Sequence, residues 1–355
     1  MSEFRTYLGI LKAVHAGTDL STAAQAAGRA LDTRGRGLVG YVLGNLQRAA
    51  PVDLMRAAVE ARVCMLQVAQ PTSRAGGGGM GWSRQALYLD LALENVVRQA
   101  AERGAGDKNA ANMVGPLLEN LCLSTVNNAE LCYCLKAWQM LPSGALSGQP
   151  SRDEALRAMA IIDRLRRALS AISDHMSETV GPPATTIGRA LSCEAWAVDL
   201  FSEEVVRGGP AFAVSLILSA AEPPLRAAGE LGAWQVISPA HALGRVVVAP
   251  GLHEVQDTVF GTPTVLVCHR VTGEEEIPDG VVAVLTPDAP DVLSHVAVRA
   301  RNLKTLFATC YEKEPMDALV AREGKMLEVR NTSRGKRNKG MYLSIYRHTH
   351  THTHT

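Results

Sequence analysis

The sequence has few aromatic residues, almost no net charge and no long apolar run. Of its 355 residues, 5% are aromatic and 47% hydrophobic, and the formal net charge is +1. A nearly neutral chain has no global field that would attract nucleic acid, so no nucleic-acid partner is expected. No apolar run reaches the roughly 18 residues of a membrane-spanning helix. We therefore expect a soluble protein, with no membrane partner and with enough apolar residues for two or three domains.

The cysteines follow no recognised pattern. Their spacing resembles neither a zinc site nor a secreted disulfide framework, and their number is odd. We expect most of them to be reduced and buried, since a free cysteine packs like a small apolar residue. The seven are Cys64, Cys122, Cys132, Cys134, Cys193, Cys268 and Cys310. Outside a repetitive tail, no cluster of His, Asp or Glu has metal-ligand spacing, so no metal site is predicted.

The N-terminal two thirds of the chain is predicted to be helical. Apolar residues recur at helical spacing in segments such as LYLDLALENVVRQAAERG, residues 87–104. RAGGGGMG, residues 74–81, is expected to be a flexible connection. The pattern predicts an all-α region over residues 1–225. The first residues, MSEFRTYLGILKAV, show neither a secretory signal nor a transit peptide, so either the protein stays where it is made or the chain begins inside a longer one.

The pattern changes after about residue 229. GRVVVAPG, TVLVCHRVTG, GVVAVLTPD, TLFATC and KMLEVR are short, β-branched runs bounded by Gly, Pro and Asp, with one helix predicted between them. They predict a small domain of strands and helix over residues 226–330. Residues 331–355 end in alternating His and Thr. They are expected to be a disordered low-complexity tail, although such histidines could also bind a metal weakly.

One histidine stands out in TPDAPDVLSHVAVRARN, residues 286–302. If 292–302 is helical, Leu293, Ala297 and Ala300 form a buried stripe. His295, Arg299 and Asn302 then form the opposite stripe, predicted to face solvent. His295 would lie in the first turn of the helix.

The first turn of a helix suits an anion. Unpaired backbone N–H groups and the helix dipole favour negative charge there, Ser294 adds a hydroxyl group and Arg299 lies one turn further on. A neutral imidazole at this place could accept a phosphoryl group, and the product would be stabilised by amide groups and Arg299. Spacing alone leaves the ordinary alternative open, a surface histidine without a function.

The same segment resembles the phosphohistidine region of the alpha-glucan, water dikinases, the starch-phosphorylating enzymes of plants and algae. Further similar stretches occur in the same order, among them LKAVHAGTDL, LYLDLALENVVR, AWAVDLFSEEVVRGG and LGAWQVISP. The resemblance covers residues 4–330. A more distant likeness to pyruvate, phosphate dikinase includes a Ser-His pair with an arginine six residues later, which is Arg301 here.

The resemblance implies a fold and a reaction. The fold is a helical region followed by a small swivelling phosphohistidine domain. His295 would accept the β-phosphate of ATP and pass it to a glucosyl hydroxyl of starch, mainly at carbon 6, while the γ-phosphate goes to water. Ser294, Arg299 and Arg301 would support it. His15 and His269 lie inside helical and strand patterns and are interpreted as structural.

Other implied features lie outside this sequence. ATP and Mg²⁺ would bind to a C-terminal domain for which the chain carries no motif, so the chain alone is expected to be inactive unless that domain acts in trans. Starch-binding modules and a plastid transit peptide are likewise implied for the family. Starch, that ATP-binding domain and a second copy in a homodimer are the partners considered, and the plastid stroma or starch granule is the implied location.

Two segments carry smaller predictions. Family members typically have CFATC where this chain has LFATC, so Leu306 replaces one cysteine of a redox pair and no intrachain switch is expected at Cys310. The acidic run GEEEIPDG, residues 273–280, is interpreted as a solvated turn, with docking of the mobile domain as the alternative. The four tryptophans are interpreted as core anchors.

Alternatives to the main hypothesis stay open. Within the same class, the chain could belong to a phosphoglucan, water dikinase that acts at carbon 3. From another class, it could be a non-catalytic helical interaction module from a truncated gene product.

Overall fold

The structure, a computed structural model, describes residues 20–27, 31–68, 84–107, 109–125, 128–142, 149–332 and 340–344. His15, Trp82, the glycine-rich segment at 74–81 and the His-Thr repeat lie outside these residues. The chain divides into two compact units. One comprises residues 1–168 and 208–222, and the other comprises residues 169–207 and 223–355.

The predicted helical region is helical throughout the residues that are described. Its helices are α1 Leu20–Ala27, α2 Thr33–Asn45, α3 Pro51–Val68, α4 Arg84–Gly104, α5 Ala111–Ser124, α6 Ala129–Gln139, α7 Arg152–Ala190, α8 Ala195–Arg207 and α9 Pro210–Ala228. Side-chain caps begin several of them, and two are typical. Asp32 accepts from the amide of Gly35 at 2.6 Å, and Asn128 accepts from the amide of Leu131 at 3.1 Å.

The first unit contains a buried charged network. The guanidinium of Arg62 on α3 pairs with Asp90 on α4 at 2.8 Å and lies 3.3 Å from Glu94. It also donates to the side chains of Asn120 at 2.6 Å and Ser124 at 3.1 Å, both on α5. Because the Arg62 side chain is only 2% exposed, these partners are needed to offset its loss of water. The network therefore ties three helices together.

A seven-stranded mixed sheet forms the core of the second unit. Its order is β1-β5-β4-β3-β2-β6-β7. The strands are β1 Trp234–Ser238, β2 Ala242–Ala249, β3 Thr264–Cys268, β4 Val281–Thr286, β5 Leu306–Cys310, β6 Met326–Thr332 and β7 Gly340–Ser344. The four strands β2 to β5 are parallel, and the others pair antiparallel.

Helices cover both faces of this sheet, which explains the continuous apolar runs of its strands. On one face, Met316 and Leu319 of α11 (Lys313–Val320) join a core cluster with alternate strand residues such as Val265. On the other face, Val296 and Ala300 of α10 (His295–Asn302) join a second cluster. The helix α10 connects β4 to the parallel strand β5, so its N-terminus lies at the carboxyl end of the parallel strands.

The predicted combination of a helical region with a small strand-and-helix domain is confirmed at this level. All five predicted strands form, and β1, β7 and α11 are additional. The strand β7 lies within residues 331–355, where disorder was predicted. Its sequence, GMYLS, has the large residues Met, Tyr and Leu in a row, and it pairs antiparallel with β6. No single described helix is long and apolar enough to cross a membrane; α8 and α9 pass that test only together, as a bent pair.

Candidate functional site

Two aspartates shape the loop that leads to α10. The carboxylate of Asp288 accepts from the amide of Val271 at 2.7 Å, which ties the loop after β4 to the loop after β3. The carboxylate of Asp291 accepts from the amide of Leu293 at 2.8 Å in a local turn. The chain then reaches Ser294, the extended N-cap residue of α10, whose hydroxyl accepts from the amide of Ala297 at 3.4 Å. Ser294 is therefore a helix cap.

For His295, the predicted place in the first turn of the helix is correct, but the predicted exposure of the side chain is wrong. His295 is the first residue of α10, as expected, but its side chain is only 8% exposed instead of facing solvent. The buried stripe of Leu293, Ala297 and Ala300 is confirmed. The ring is covered because acidic side chains from outside α10 lie over it, which the periodicity of one helix does not reveal.

Two carboxylates contact the two ring nitrogens of His295. Nδ1 lies 2.6 Å from Oε2 of Glu203 on α8, and Nε2 lies 2.7 Å from Oε1 of Glu276 in the loop after β3. Their environments differ, since the Glu203 side chain is 7% exposed and that of Glu276 is 51% exposed. The buried carboxylate therefore faces Nδ1, and the accessible one faces Nε2.

These contacts control the charge of the ring. The pKa of His295 is raised above its usual value by the contact with Glu203, against the opposing effect of burial, and the contact with Glu276 raises it further. The contact of Nε2 with Glu276 has hydrogen-bond geometry, whereas the contact of Nδ1 with Glu203 is a close approach of charged groups without a well-directed hydrogen bond. Both carboxylates therefore favour the protonated form of the ring, against the effect of burial.

The two predicted arginines have different surroundings. Nε of Arg299 lies 3.4 Å from Oε1 of Glu203 and 3.4 Å from Oε2 of Glu276, so Arg299 belongs to the same charge cluster as His295. Arg301 donates to the carbonyl of Val292 at 2.6 Å, and burial lowers the pKa of its guanidinium. Arg301 thus fixes the start of the helix, whereas Arg299 is beside the ring.

The expectation of free amide groups at the start of α10 is corrected in part. The amide of Val296 donates to the carbonyl of Gly273 at 3.1 Å, and the amide of Ala297 is capped by Ser294. Gly273 has a positive φ of 107°, and a Cβ atom there would lie 3.1 Å from Cβ of Ser294. Only glycine fits this close approach without strain. Protein groups therefore already occupy these two donors.

The acidic run at 273–280 is more than a solvated turn. Glu275 is buried and accepts from the amides of Thr272 at 2.7 Å and Gly273 at 2.8 Å. Burial alone would raise the pKa of Glu275, but these backbone hydrogen bonds outweigh it and lower the pKa. Glu275 holds the turn, and Glu276 next to it reaches His295. Glu274 projects to Arg207 of α8 at 3.0 Å.

Sequence reasoning missed Glu203 and gave Glu276 no part in the site. A hint for Glu276 exists, because the loops after the neighbouring parallel strands β3 and β4 meet at one edge of the sheet. For Glu203 the hint is weaker: it lies three residues before buried Val206, on the covered side of an amphipathic helix.

The remaining residue predictions have mixed outcomes. Four cysteines, Cys310 among them, are buried, but Cys132 and Cys193 are exposed, and all seven are free thiols. Trp138 is buried as predicted, and Trp196 is wrong as a core anchor, since it is 66% exposed. Within the described part of the chain, no group of three or more His, Cys, Asp or Glu side chains is arranged to hold a metal ion.

Comparison with known families identifies the class of this site. Residues 233–340 match the model of the phosphohistidine-like domain of alpha-glucan water dikinase. That range contains strands β1 to β6, the helix α10 and His295. The second unit therefore contains a phosphohistidine-like domain.

The similarity extends well beyond that domain. A chloroplastic alpha-glucan water dikinase of Citrus reticulata is 40% identical over 94% of this chain, and one of Solanum tuberosum is 38% identical over 92%. Alpha-glucan water dikinase 2 of Arabidopsis thaliana is 36% identical over 93%. The resemblance predicted from the sequence is confirmed: the chain is a relative of the alpha-glucan water dikinases. It spans about a quarter of the length of these relatives. No solved structure matches the chain.

Proposed function

We propose that His295 is the phosphoryl carrier of a starch dikinase. The Nε2 lone pair of neutral His295 attacks the β-phosphorus of ATP and breaks its bond to the α-phosphate oxygen, so that AMP leaves. After loss of the γ-phosphate, the N–P bond breaks as the phosphoryl group passes to a glucosyl hydroxyl, at carbon 6. The γ-phosphate goes to water, so the other products are AMP and orthophosphate. The single observation that carries this proposal is the place of His295, at the first turn of α10 within a matched phosphohistidine-like domain, with Nε2 toward the accessible side.

The contacts of His295 define the resting state of this carrier. Glu276 occupies the space next to Nε2 that an incoming phosphorus atom needs, and a carboxylate there repels phosphate oxygens. Glu276 therefore has to leave before phosphorylation. Because its side chain is half-exposed in a loop, it can move into water at little cost, and it can take the Nε2 proton with it.

Arg299 supplies the compensating charge. In the resting state it lies between the two carboxylates. When Glu276 leaves, the guanidinium loses one anionic neighbour and is placed to pair with the phosphoryl oxygens on the ring. Arg299→Lys keeps the charge but not the planar fork, so it is expected to weaken this support.

ATP and Mg²⁺ belong to the proposal for the complete enzyme only. The donors around His295 are two carboxylates that already contact the ring, which does not suit a magnesium site. We propose that a nucleotide-binding domain beyond these residues, or one acting in trans, supplies that chemistry. The swivelling of the phosphohistidine domain, a location in the plastid stroma or at the starch granule, and a homodimer belong to the same proposal.

The test uses the full chain with an ATP-binding domain of the family added in trans. ATP labelled in the β-phosphate and Mg²⁺ should give acid-labile, base-stable label on the wild-type chain. His295→Ala should abolish this label, and the control His269→Gln, with an exposed side chain, should keep it. Label that persists in His295→Ala would refute the carrier role. The chain without the added domain should not transfer label to amylopectin.

Two competing functions make different predictions in this experiment. A phosphoglucan, water dikinase would place phosphate at carbon 3 of the glucosyl unit, which product analysis distinguishes from carbon 6. A non-catalytic interaction module would leave His295 unlabelled under all conditions. The curated relatives compared above are all named alpha-glucan water dikinases, which favours the function proposed here over both alternatives.

A further inference from the structure

We infer that Glu203 is a positioning residue for the phosphoryl carrier: it holds the proton on Nδ1 of His295 and thereby directs phosphorylation to Nε2. This inference deepens the proposed function and rests on it. Glu203 lies on α8, outside the matched phosphohistidine-like range of residues 233–340.

Glu203 and His295 meet at the buried edge of the ring. Oε2 of Glu203 is 2.6 Å from Nδ1, and both side chains are more than nine-tenths buried. Oε2 has no well-directed hydrogen bond within the described residues while Glu276 holds the opposite edge of the ring. Rotation of the ring after Glu276 leaves can align Nδ1–H with this oxygen. A buried carboxylate with an open acceptor site then fixes which nitrogen keeps its proton.

The reactivity of His295 depends on which ring nitrogen has the lone pair. A neutral imidazole has one N–H and one lone pair, and only the nitrogen with the lone pair can attack phosphorus. If Glu203 keeps the proton on Nδ1, the lone pair is on Nε2, which faces the accessible side. Attack forms the Nε2–P bond and breaks the bond from phosphorus to its leaving group. The proton originally on Nε2 goes to Glu276 or to water before attack.

Two contacts hold Glu203 in place beside the ring. Arg207 lies on α8, four residues after Glu203. It donates to Glu274 at 3.0 Å and so attaches α8 to the turn beside the site. Oε1 of Glu203 is 3.4 Å from Nε of Arg299. Glu203 therefore has one oxygen for the ring and one near a cation, which keeps its carboxylate oriented.

The charged groups that face the ring give a matched set of variants. They are Glu203 from α8, Glu276 from the loop after β3 and Arg299 from α10. Glu203→Gln removes charge but keeps an oxygen acceptor for Nδ1–H. Glu203→Ala removes both. Glu204→Gln changes an adjacent carboxylate that pairs with Arg207 at 3.7 Å and is 65% exposed.

The decisive measurement is the tautomer of His295, observed by long-range proton–nitrogen NMR of ¹⁵N-histidine-labelled full chain above the pKa of the ring. Wild type, Glu204→Gln and Glu203→Gln should show Nδ1–H. Glu203→Ala should shift to the Nε2–H form. This readout needs no phosphorylation, so it can fail while the carrier function stands. An Nδ1–H tautomer in folded Glu203→Ala would overturn the inference.

A second measurement uses potassium phosphoramidate as the phosphoryl donor, with ammonia as the leaving group. ³¹P NMR at early times distinguishes phosphate on Nε2 from phosphate on Nδ1. Wild type and Glu203→Gln should favour Nε2 by about ten- to a hundredfold, the size expected for one hydrogen bond to a charged or strongly polar group. Glu203→Ala should give both isomers.

The two measurements distinguish a failure of the positioning role of Glu203 from a failure of the carrier function of His295. Phosphate on Nδ1 in wild type would overturn the inference and leave His295 as the carrier. If Glu203→Ala does not fold, Glu203→Gln decides: its His295 pKa should fall below that of wild type with Nδ1–H retained. An unchanged pKa would refute the contact. An Nδ1–H tautomer without any label from ATP on His295 would instead refute the proposed function alone.

Discussion

Glu203 and His295 come from different helices of the second unit, and their side chains approach to 2.6 Å in a place where both are buried. On the other edge of the ring, Glu276 is 2.7 Å away and half-exposed. A ring held between a buried and an accessible carboxylate has one protected nitrogen and one that can be uncovered. This asymmetry is what makes Nε2 the accepting nitrogen in the function proposed above.

Removing Glu276 should make His295 more reactive. In Glu276→Ala, Nε2 loses its anionic neighbour, so more of the ring is neutral and the approach is open. Phosphoramidate should label His295 faster by about threefold to tenfold, the effect of roughly 1 kcal/mol. Glu314→Ala, which removes an exposed carboxylate of α11 on the opposite face of the sheet, is the control and should label at nearly the wild-type rate. A slower rate in Glu276→Ala would contradict the gating role.

The stability of the chain should depend on pH through His295. Its raised folded-state pKa means that the folded chain binds this proton more tightly than the unfolded chain does. The contribution is therefore fully present below the unfolded pKa of about 6.5 and is lost as pH rises through the higher folded pKa. Urea unfolding across this window should show a decline in wild type that His295→Gln reduces. His269→Gln should retain the decline, and an identical slope in all three chains would exclude the effect.

The network at Arg62 should be a main source of stability in the helical unit. Arg62→Met keeps an apolar stem but leaves Asp90 and Glu94 without their buried cation. Removing one partner of a buried ion pair typically costs about 3–5 kcal/mol. Urea or thermal unfolding measures this loss. Arg34→Met, at an exposed pair with Glu60, should leave the midpoint nearly unchanged, so equal effects of the two variants would argue against the network.

The cysteines should react with an alkylating agent in an order set by burial. Cys132 and Cys193 are exposed and should be modified in the native chain. Burial raises the pKa of Cys268 to about 12 and also raises the pKa of Cys310, so both should react only after unfolding. Peptide mass spectrometry with and without denaturant measures the order. Rapid native modification of Cys310 would show that β5 opens.

Introducing a second cysteine should not create a redox switch at β5. Leu306 and Cys310 are the two ends of one strand, and four residues of strand span about 13 Å. A disulfide needs Cα atoms within about 7 Å. Oxidised Leu306→Cys should therefore keep both thiols as long as β5 is intact. An intrachain bond between residues 306 and 310 in native protein would contradict the strand geometry.

A methyl group at Gly273 should displace the turn that carries Glu276. The positive φ of Gly273 and its closeness to Ser294 mean that Gly273→Ala forces the turn to shift, at a cost of about 1–3 kcal/mol. The shift should move Glu276 and lower the pKa of His295, which NMR titration detects. Gly261→Ala meets no atom within 4 Å and serves as the control. A normal His295 titration in Gly273→Ala would show that the turn does not position Glu276.

The sequence predicted the architecture well where the pattern is local. The apolar runs of β2 to β6 indicated strands, and Ser294 before HVAVRARN indicated the start of a helix, because strand periodicity and helix capping depend on near neighbours. Strand β1 was missed because its five residues, WQVIS, show neither a long apolar run nor strict alternation. The short helix α11 was missed because proline and charged residues interrupt KEPMDALV.

The sequence by itself determined which histidine begins the helix α10 and which family the chain resembles, since these depend on residue type and spacing. The tertiary structure decided that the ring is buried, that Glu203 faces one nitrogen and that Glu276 covers the other. The reason is physical: helical periodicity tells which side chains share a face, but not which distant segment packs over that face. The charge of His295 depends on that distant segment.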